Sequence, residues 1–80
     1  MKLHVRPLPR EVTVSDLRAL FSVYGRIEST EIPVDEPTGE PLGFGYVLMP
    51  SRAEASAAIQ ALRGHRLGGR MLNVREVSPG

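Results

Sequence analysis

The 80-residue chain has no cysteine, no tryptophan and only four aromatic residues, and it has no long hydrophobic run. Without cysteine it can form neither disulfide bonds nor a thiolate metal site, so core packing must stabilise the fold. No apolar run approaches the length of a membrane-spanning helix, and no secretory segment opens the chain. We therefore expect a cytoplasmic protein, or a nuclear one if the chain is a domain of a larger eukaryotic protein.

The chain is long enough for one domain and too short for two. We expect a single domain over residues 1–77 and a short tail at 78–80. A domain of this size has little room for an enclosed active site, and its two histidines lie near opposite ends of the sequence. Because no nucleophile and base occur with supporting spacing, we expect no enzyme, no catalytic residue, no metal and no cofactor.

Hydrophobic periodicity predicts the element order strand, helix, strand, strand, helix, strand. Thr13 and Ser51 are the predicted N-caps of the helices, which end at Gly25 and Gly64. The predicted strands are residues 2–6, 27–34, 43–49 and 70–77, and a turn or short hairpin at 67–69 precedes the last one. This order is that of the α+β, ferredoxin-like βαββαβ split fold, with both helices on one face of a four-stranded antiparallel sheet.

The helices cover only one face of such a sheet, so strand alternation decides which side chains lie on the open face. In the third strand, Val47 and Met49 are good core residues, and Gly43 and Gly45 share their side. The side chains predicted on the open face are His4, Arg6, Phe44, Tyr46, Leu48, Met71, Asn73 and Arg75. Exposed aromatic rings two residues apart are typical of surfaces on which nucleic-acid bases stack.

An alternative register shifts the third strand by one residue. It would bury Phe44 and Tyr46 against the helices and move Val47 and Met49 to solvent. From alternation alone, the two registers are about equally plausible.

Five consecutive residues, Gly43-Phe44-Gly45-Tyr46-Val47, match a known signature. Here the chain resembles the RNA recognition motif family, whose eight-residue signature runs basic, Gly, aromatic, Gly or Ala, aromatic, aliphatic, any residue, aromatic. Residues 3–8 are similar to the family's second signature, in the first strand. The resemblance extends over nearly the whole chain, favours the register with exposed rings, and implies the sheet order 4-1-3-2.

The resemblance implies that single-stranded RNA binds on the open face, with bases stacked on Phe44 and Tyr46. His4 falls on a third stacking position that is usually Phe or Tyr, and it is either a weaker platform or a solvated strand residue. Leu42 replaces the usual basic residue of the signature. Met49 replaces the final aromatic residue on the core side. The predicted RNA-binding residues are His4, Arg6, Phe44, Tyr46, Leu48, Asn73 and Arg75.

The net charge of +1 is low for a nucleic-acid-binding protein. Arg6 and Arg75 are the favoured phosphate contacts. Further candidates are Lys2 at the margin of the face, Arg70 at the start of the fourth strand, and Arg10 and Arg66 in loops. Acidic residues in the loop between the second and third strands, Asp35, Glu36 and Glu40, would repel phosphate. We therefore expect micromolar binding.

The expected partner is single-stranded RNA, with single-stranded DNA as a second nucleic acid, and the expected state is a monomer away from membranes. The alternative function is a protein–protein interaction module on the same fold. Its support comes from the low charge, Leu42 and the acidic loop, and the apolar residues of the open face would suit a protein partner as well as a base.

Overall fold

The secondary structure of the chain follows the predicted order. A computed structural model describes residues 1–77, and the predicted tail at 78–80 lies outside the described residues. The elements are β1 (Lys2–Arg6), α1 (Val14–Ser22), β2 (Ser29–Glu31), β3 (Gly45–Leu48), α2 (Arg52–Leu62), β4 (Arg66–Leu67), β5 (Arg70–Met71) and β6 (Asn73–Val77). No helix among residues 1–77 is long and apolar enough to cross a membrane.

Four strands form one antiparallel sheet in the order β2-β3-β1-β6. With β6 as the fourth long strand, this is the predicted order 4-1-3-2, and the predicted ferredoxin-like fold is confirmed. Within residues 1–77, the remaining strands, β4 and β5, pair only with each other and form the hairpin predicted around Gly68.

Three predicted strands are shorter than their sequence patterns. The second keeps only Ser29–Glu31, because Pro33 has no N–H for a sheet ladder, and an isolated bridge between Val34 and Pro41 is all that follows. The fourth divides at Leu72, whose N–H donates to the carbonyl of His65 (2.8 Å). Arg66 therefore lies in a strand, β4, and the prediction that it lies in a loop was wrong.

The third strand begins at Gly45, two residues later than predicted. Gly43 has φ +92°, which is outside the extended region, and a Cβ placed on it would meet nothing within 4 Å. The prediction that Gly43 faces the core beside Gly45 was therefore wrong. Gly43 is required by the backbone conformation, whereas Gly45 is required by packing.

Each helix starts at its predicted cap, but the acidic residue three positions after the cap has a different role in each helix. In α1, the Thr13 hydroxyl accepts from Asp16 N–H (3.1 Å), and the Asp16 carboxylate accepts from Thr13 N–H (2.9 Å). In α2, the Ser51 hydroxyl accepts from Glu54 N–H (3.2 Å). The Glu54 carboxylate instead accepts from Arg26 N–H (3.1 Å), so it connects α2 to the turn after α1.

The core lies between the helices and one face of the sheet. Its buried side chains are Leu3, Val5, Leu8, Leu17, Phe21, Val47, Met49, Ala55, Ala58, Leu62, Leu72 and Val74. Gly45 is buried beneath α1, where an added Cβ would lie 2.9 Å from Leu17 Cδ2 and 3.0 Å from Leu8 Cδ1. The close approach of α1 to β3 thus depends on glycine at this position.

Candidate nucleic-acid interface

Strand register aligns one residue from each of the four sheet strands in a single row. His4 lies opposite Tyr46 on one side and Arg75 on the other, and Tyr46 lies opposite Glu31. Residues that are directly opposite in antiparallel strands project from the same face. The row therefore places an acid, a phenol ring, an imidazole and a guanidinium side by side on the face away from the helices.

The register with exposed rings is the one that the fold adopts. Val47 and Met49 are completely buried, and Gly45 is buried on the same side, which faces the helices. Phe44 and Tyr46 are half-buried on the opposite face. The alternative register, which would place Val47 and Met49 in solvent, is thereby excluded.

Three rings on the open face touch one another and are called the ring cluster: His4, Phe44 and Tyr46. The centroids of His4 and Phe44 are 5.2 Å apart with an interplanar angle of 30°, which is a stacked arrangement. Tyr46 meets His4 edge-on at 5.4 Å and Phe44 at 5.6 Å. Such pairs stabilise each other by roughly 0.5–1.5 kcal/mol, so the free protein already holds the rings in a defined arrangement.

His4 is more embedded than a solvated strand residue would be. Its Nδ1 is buried and has no hydrogen-bond partner within residues 1–77. Burial lowers the pKa of His4 below its ordinary value of 6.5, and the nearby charges of Arg75 and Arg6 lower it further. The imidazole in the ring cluster is therefore neutral at pH 7, as an uncharged stacking surface would be.

The other predicted site residues also lie on the open face. Arg6 and Asn73 are opposite each other in β1 and β6, and both are exposed. Leu48 is half-buried and pairs with Lys2, whose Nζ lies 4.3 Å from the centroid of the Tyr46 ring. Lys2 thus belongs to the site rather than to its margin. The signal available in the sequence was its spacing of two from His4, which assigns both to one face.

Acidic groups lie toward the opposite edge of the sheet from the arginines of β1 and β6. Glu31 is exposed in β2, the edge strand. In the β2–β3 loop, Asp35 accepts from the Thr38 hydroxyl (2.8 Å), and Glu40 forms an ion pair with Arg10. Arg10, a predicted phosphate contact, is therefore occupied by a carboxylate in the free protein.

The comparisons with known proteins agree with this geometry. A family model described as RNA recognition motif matches residues 3–73. The chain is 44% identical over 79 residues to the putative RNA-binding protein RbpA of Nostoc sp., and the match covers 99% of this chain and 78% of the relative. It is 41% identical over 80 residues to the chloroplastic 28 kDa ribonucleoprotein of Spinacia oleracea, a match that covers 98% of this chain and 34% of that protein.

Solved structures lead to the same family. The crystal structure of RNA binding protein PG1 is 34% identical, with a TM-score of 0.95, and the match covers 100% of this chain and 96% of that one. The Sxl-lethal protein/RNA complex is 33% identical, with a TM-score of 0.92, and the match covers 99% of this chain and 47% of that one. On the family match, the sequence relatives and the shared fold, the chain belongs to the RNA recognition motif family.

Proposed function

We propose that the chain binds single-stranded RNA on the open face of its sheet. The observation that carries the proposal is the ring cluster, in which Phe44 and Tyr46 face away from the core beside a neutral His4. Half-exposed rings offer faces for stacked bases, and each stacked base contributes roughly 1–3 kcal/mol. Arg6, Arg75 and Lys2 lie on the same face and supply cations for the phosphates, while Asn73 and Leu48 complete the contact surface.

The names of similar proteins support the same function. The Nostoc relative is named as a putative RNA-binding protein, and one similar structure is a protein/RNA complex. The proposed affinity is micromolar, because Leu42 supplies no cation, Arg10 is paired with Glu40, and the net charge is only +1. Catalysis is not part of the proposed function.

The proposed working unit is a monomer formed by residues 1–77 that can also accept single-stranded DNA. The cytoplasm is its proposed location, in view of the match from Nostoc, which covers most of that relative. The spinach relative is named as chloroplastic. The competing function is a protein-interaction module on the same face, for which exposed Leu42 and Met71 are suitable.

Replacement of the two rings tests the proposal. Phe44→Ala and Tyr46→Ala should each weaken the binding of short single-stranded RNA about 5- to 150-fold, because each removes a stacking surface worth roughly 1–3 kcal/mol. Fluorescence anisotropy measures the affinity, and amide shifts identify the face that binds. Both variants should remain folded, since neither ring is part of the buried core.

Val23→Ala is the matched control, because it shortens an exposed apolar side chain at the end of α1, away from the open face. It should bind RNA as the parent does. If RNA shifts only the helix amides, or if neither ring variant weakens binding, the proposal is wrong. Absence of RNA binding at low salt would favour the protein-interaction module.

A further inference from the structure

Three arginines surround a groove at the end of the sheet where β1 stops and β6 begins. Arg6 comes from β1, and Arg66 and Arg70 come from the β4–β5 hairpin. Asn73, the first residue of β6, and Met71 also line it, together with Pro7 and Gly69. The groove has a volume of about 570 Å³. We call this set, Arg6, Arg66, Arg70, Met71 and Asn73, the arginine groove.

The hairpin is held in place rather than projecting freely. Gly68 and Gly69 both have positive φ, as tight two-residue turns require, and Gly68 packs so closely on Pro9 that an added Cβ would overlap the proline ring. The Arg66 guanidinium donates to the carbonyl of Gly69 (3.2 Å). The hairpin therefore presents its cations at a defined position beside β1.

The arginine groove has no negative charge of its own. None of its lining residues is acidic, and within residues 1–77 no ion pair involves Arg6, Arg66 or Arg70. Arg10, by contrast, is paired with Glu40. Three guanidinium groups around one groove repel each other, and a bound anion relieves that repulsion. Arginine is also the side chain best suited to phosphate, because its planar fork donates two parallel hydrogen bonds.

The arginine groove is continuous with the ring cluster. Arg6 lies two residues from His4 on the same face of β1, a separation of about 6.6–6.8 Å along a strand. Arg6 also lies opposite Asn73, so the end of the open face is the beginning of the groove. Acids lie toward the other edge of the sheet, at Glu31 in β2 and in the β2–β3 loop. An RNA strand that leaves the ring cluster thus meets attraction on one side and repulsion on the other.

We propose that the arginine groove binds the phosphates of the RNA segment that continues past the bases stacked on the ring cluster. This inference rests on the proposed function and extends it. The bound strand leaves the sheet across Arg66 and Arg70, and the footprint includes nucleotides beyond those that the three rings hold. One end of the RNA is therefore favoured for extension, while the other end points toward the acids.

Extension of a short RNA tests the inference. A fixed trinucleotide, and hexanucleotides that extend it by three random-sequence nucleotides at either the 5′ or the 3′ end, are titrated against the full chain and against Arg66→Gln/Arg70→Gln. In the parent, extension at one end should tighten binding several-fold. In the double variant this gain should be lost, and the salt dependence of log K for the extended RNA should become shallower by about 1.4, or about 0.7 for each lost phosphate contact.

Arg18→Gln/Arg52→Gln is the matched control, because it removes two exposed arginines from α1 and α2. It should retain the gain from extension and the parent salt slope. Arg70→Gln alone keeps the hydrogen bond from Arg66 to Gly69, so it removes one cation without weakening the hairpin. It should reduce the salt dependence of log K by about half as much as the double variant does. Titration with inorganic phosphate distinguishes a site for RNA phosphates from a site for a free anion, because the latter would saturate without any RNA.

The outcomes separate the inference from the proposed function. If the trinucleotide binds on the ring cluster but extension at either end gives equal affinity, the inference is wrong and the proposed function stands. The inference also fails if the salt dependence of log K decreases equally in the two double variants. It fails as well if inorganic phosphate binds the groove with the same affinity as the extended RNA. If the trinucleotide does not shift the amides of β1 and β3, the proposed function itself is wrong.

Discussion

The rings of Phe44 and Tyr46 remain at the surface because the opposite side of β3 is already filled. Val47 and Met49 are completely buried there, and α1 approaches Gly45 so closely that no side chain fits. The exposed rings keep part of their apolar surface out of water by packing on each other and on His4. This mutual contact offsets part of the cost of exposure, and both rings remain partly exposed to a ligand.

The pKa of His4 predicts how stability depends on pH. Folding lowers that pKa below 6.5, so between the two values the unfolded chain binds more protons than the folded chain. The free energy of unfolding should therefore decrease as the pH falls through about 6.5 and level off below the folded-state pKa. Urea unfolding at a series of pH values measures this, and NMR titration of the imidazole gives the folded pKa directly. His4→Phe keeps a ring but cannot titrate, so parent and variant profiles of identical shape would contradict the prediction.

Leu42 offers a gain-of-function test. Leu42 is 51% exposed and lies two residues before Phe44, in the position where the family signature has a cation. Leu42→Arg should tighten RNA binding and make the salt dependence of log K steeper by about 0.7, because it adds one phosphate contact. Leu42→Gln, which is polar but uncharged, is the control. Equal affinities and slopes for the two variants would show that this position does not face the RNA backbone.

At the scale of elements, β3 connects the core to the site. Its buried residues, Gly45 and Val47, face the helices. Tyr46 lies between them, and Phe44 directly precedes the strand, so two of the three rings are positioned by β3. Movement of α1 relative to β3 is therefore expected to change the arrangement of the ring cluster. Gly45 determines this distance, because α1 would have to retreat to accommodate a side chain.

Gly45→Ala should destabilise the fold by about 1–3 kcal/mol, since the new methyl group would press on Leu17, Leu8 and the backbone carbonyl of Glu31. Thermal unfolding is the measurement, and a loss of roughly 4–8 °C is expected for each kcal/mol in a domain of this size. Ser56→Ala, at an exposed position of α2, is the control and should not lower the melting temperature, because alanine is the better helix former. A Gly45→Ala variant as stable as the parent would mean that α1 is not closely packed on β3.

Helix positions were predictable from the sequence because caps and apolar spacing are local signals. Thr13, Asp16 and Ser51 cap as their spacing indicates. The role of Glu54 was not predictable, since its partner Arg26 lies 28 residues away. The length of the fourth strand was overestimated for a similar reason: Arg70 and Met71 pair with β4 instead of β1, and pairing is not a local property.

Across the whole molecule the net charge is low, but the positive and negative side chains lie in separate regions. Arginines of β1, β6 and the hairpin lie toward one edge of the sheet, and Glu31 with the β2–β3 loop lies toward the other. A strand of RNA on the open face is attracted by the arginines and repelled by the acids. The affinity for RNA therefore depends more on this arrangement than on the net charge of +1.

Glu31→Gln should therefore tighten RNA binding by about twofold at low salt, the effect of removing one like charge from a solvated surface roughly 8 Å from a phosphate. The gain should disappear toward high salt as the charges are screened. Glu76→Gln is the control, because Glu76 alternates with Arg75 in β6 and so projects from the other face. Anisotropy titrations at two salt concentrations measure both, and equal gains in the two variants would contradict the charge separation.

The sequence by itself determined the order of the elements, the helix caps, the core face of β3 and the exposed pair Phe44 and Tyr46. The order of the elements follows from hydrophobic periodicity and the caps follow from local spacing. Alternation left two registers for the third strand, and the resemblance to the family signature favoured the one with exposed rings. Only the tertiary structure decided that His4 is embedded between two rings, that Arg10 is paired with Glu40, and that Arg6 meets Arg66 and Arg70 around one groove. Each of these joins residues from separate elements, and their distances are set by strand register and by the close packing of α1 on Gly45, which no local pattern specifies.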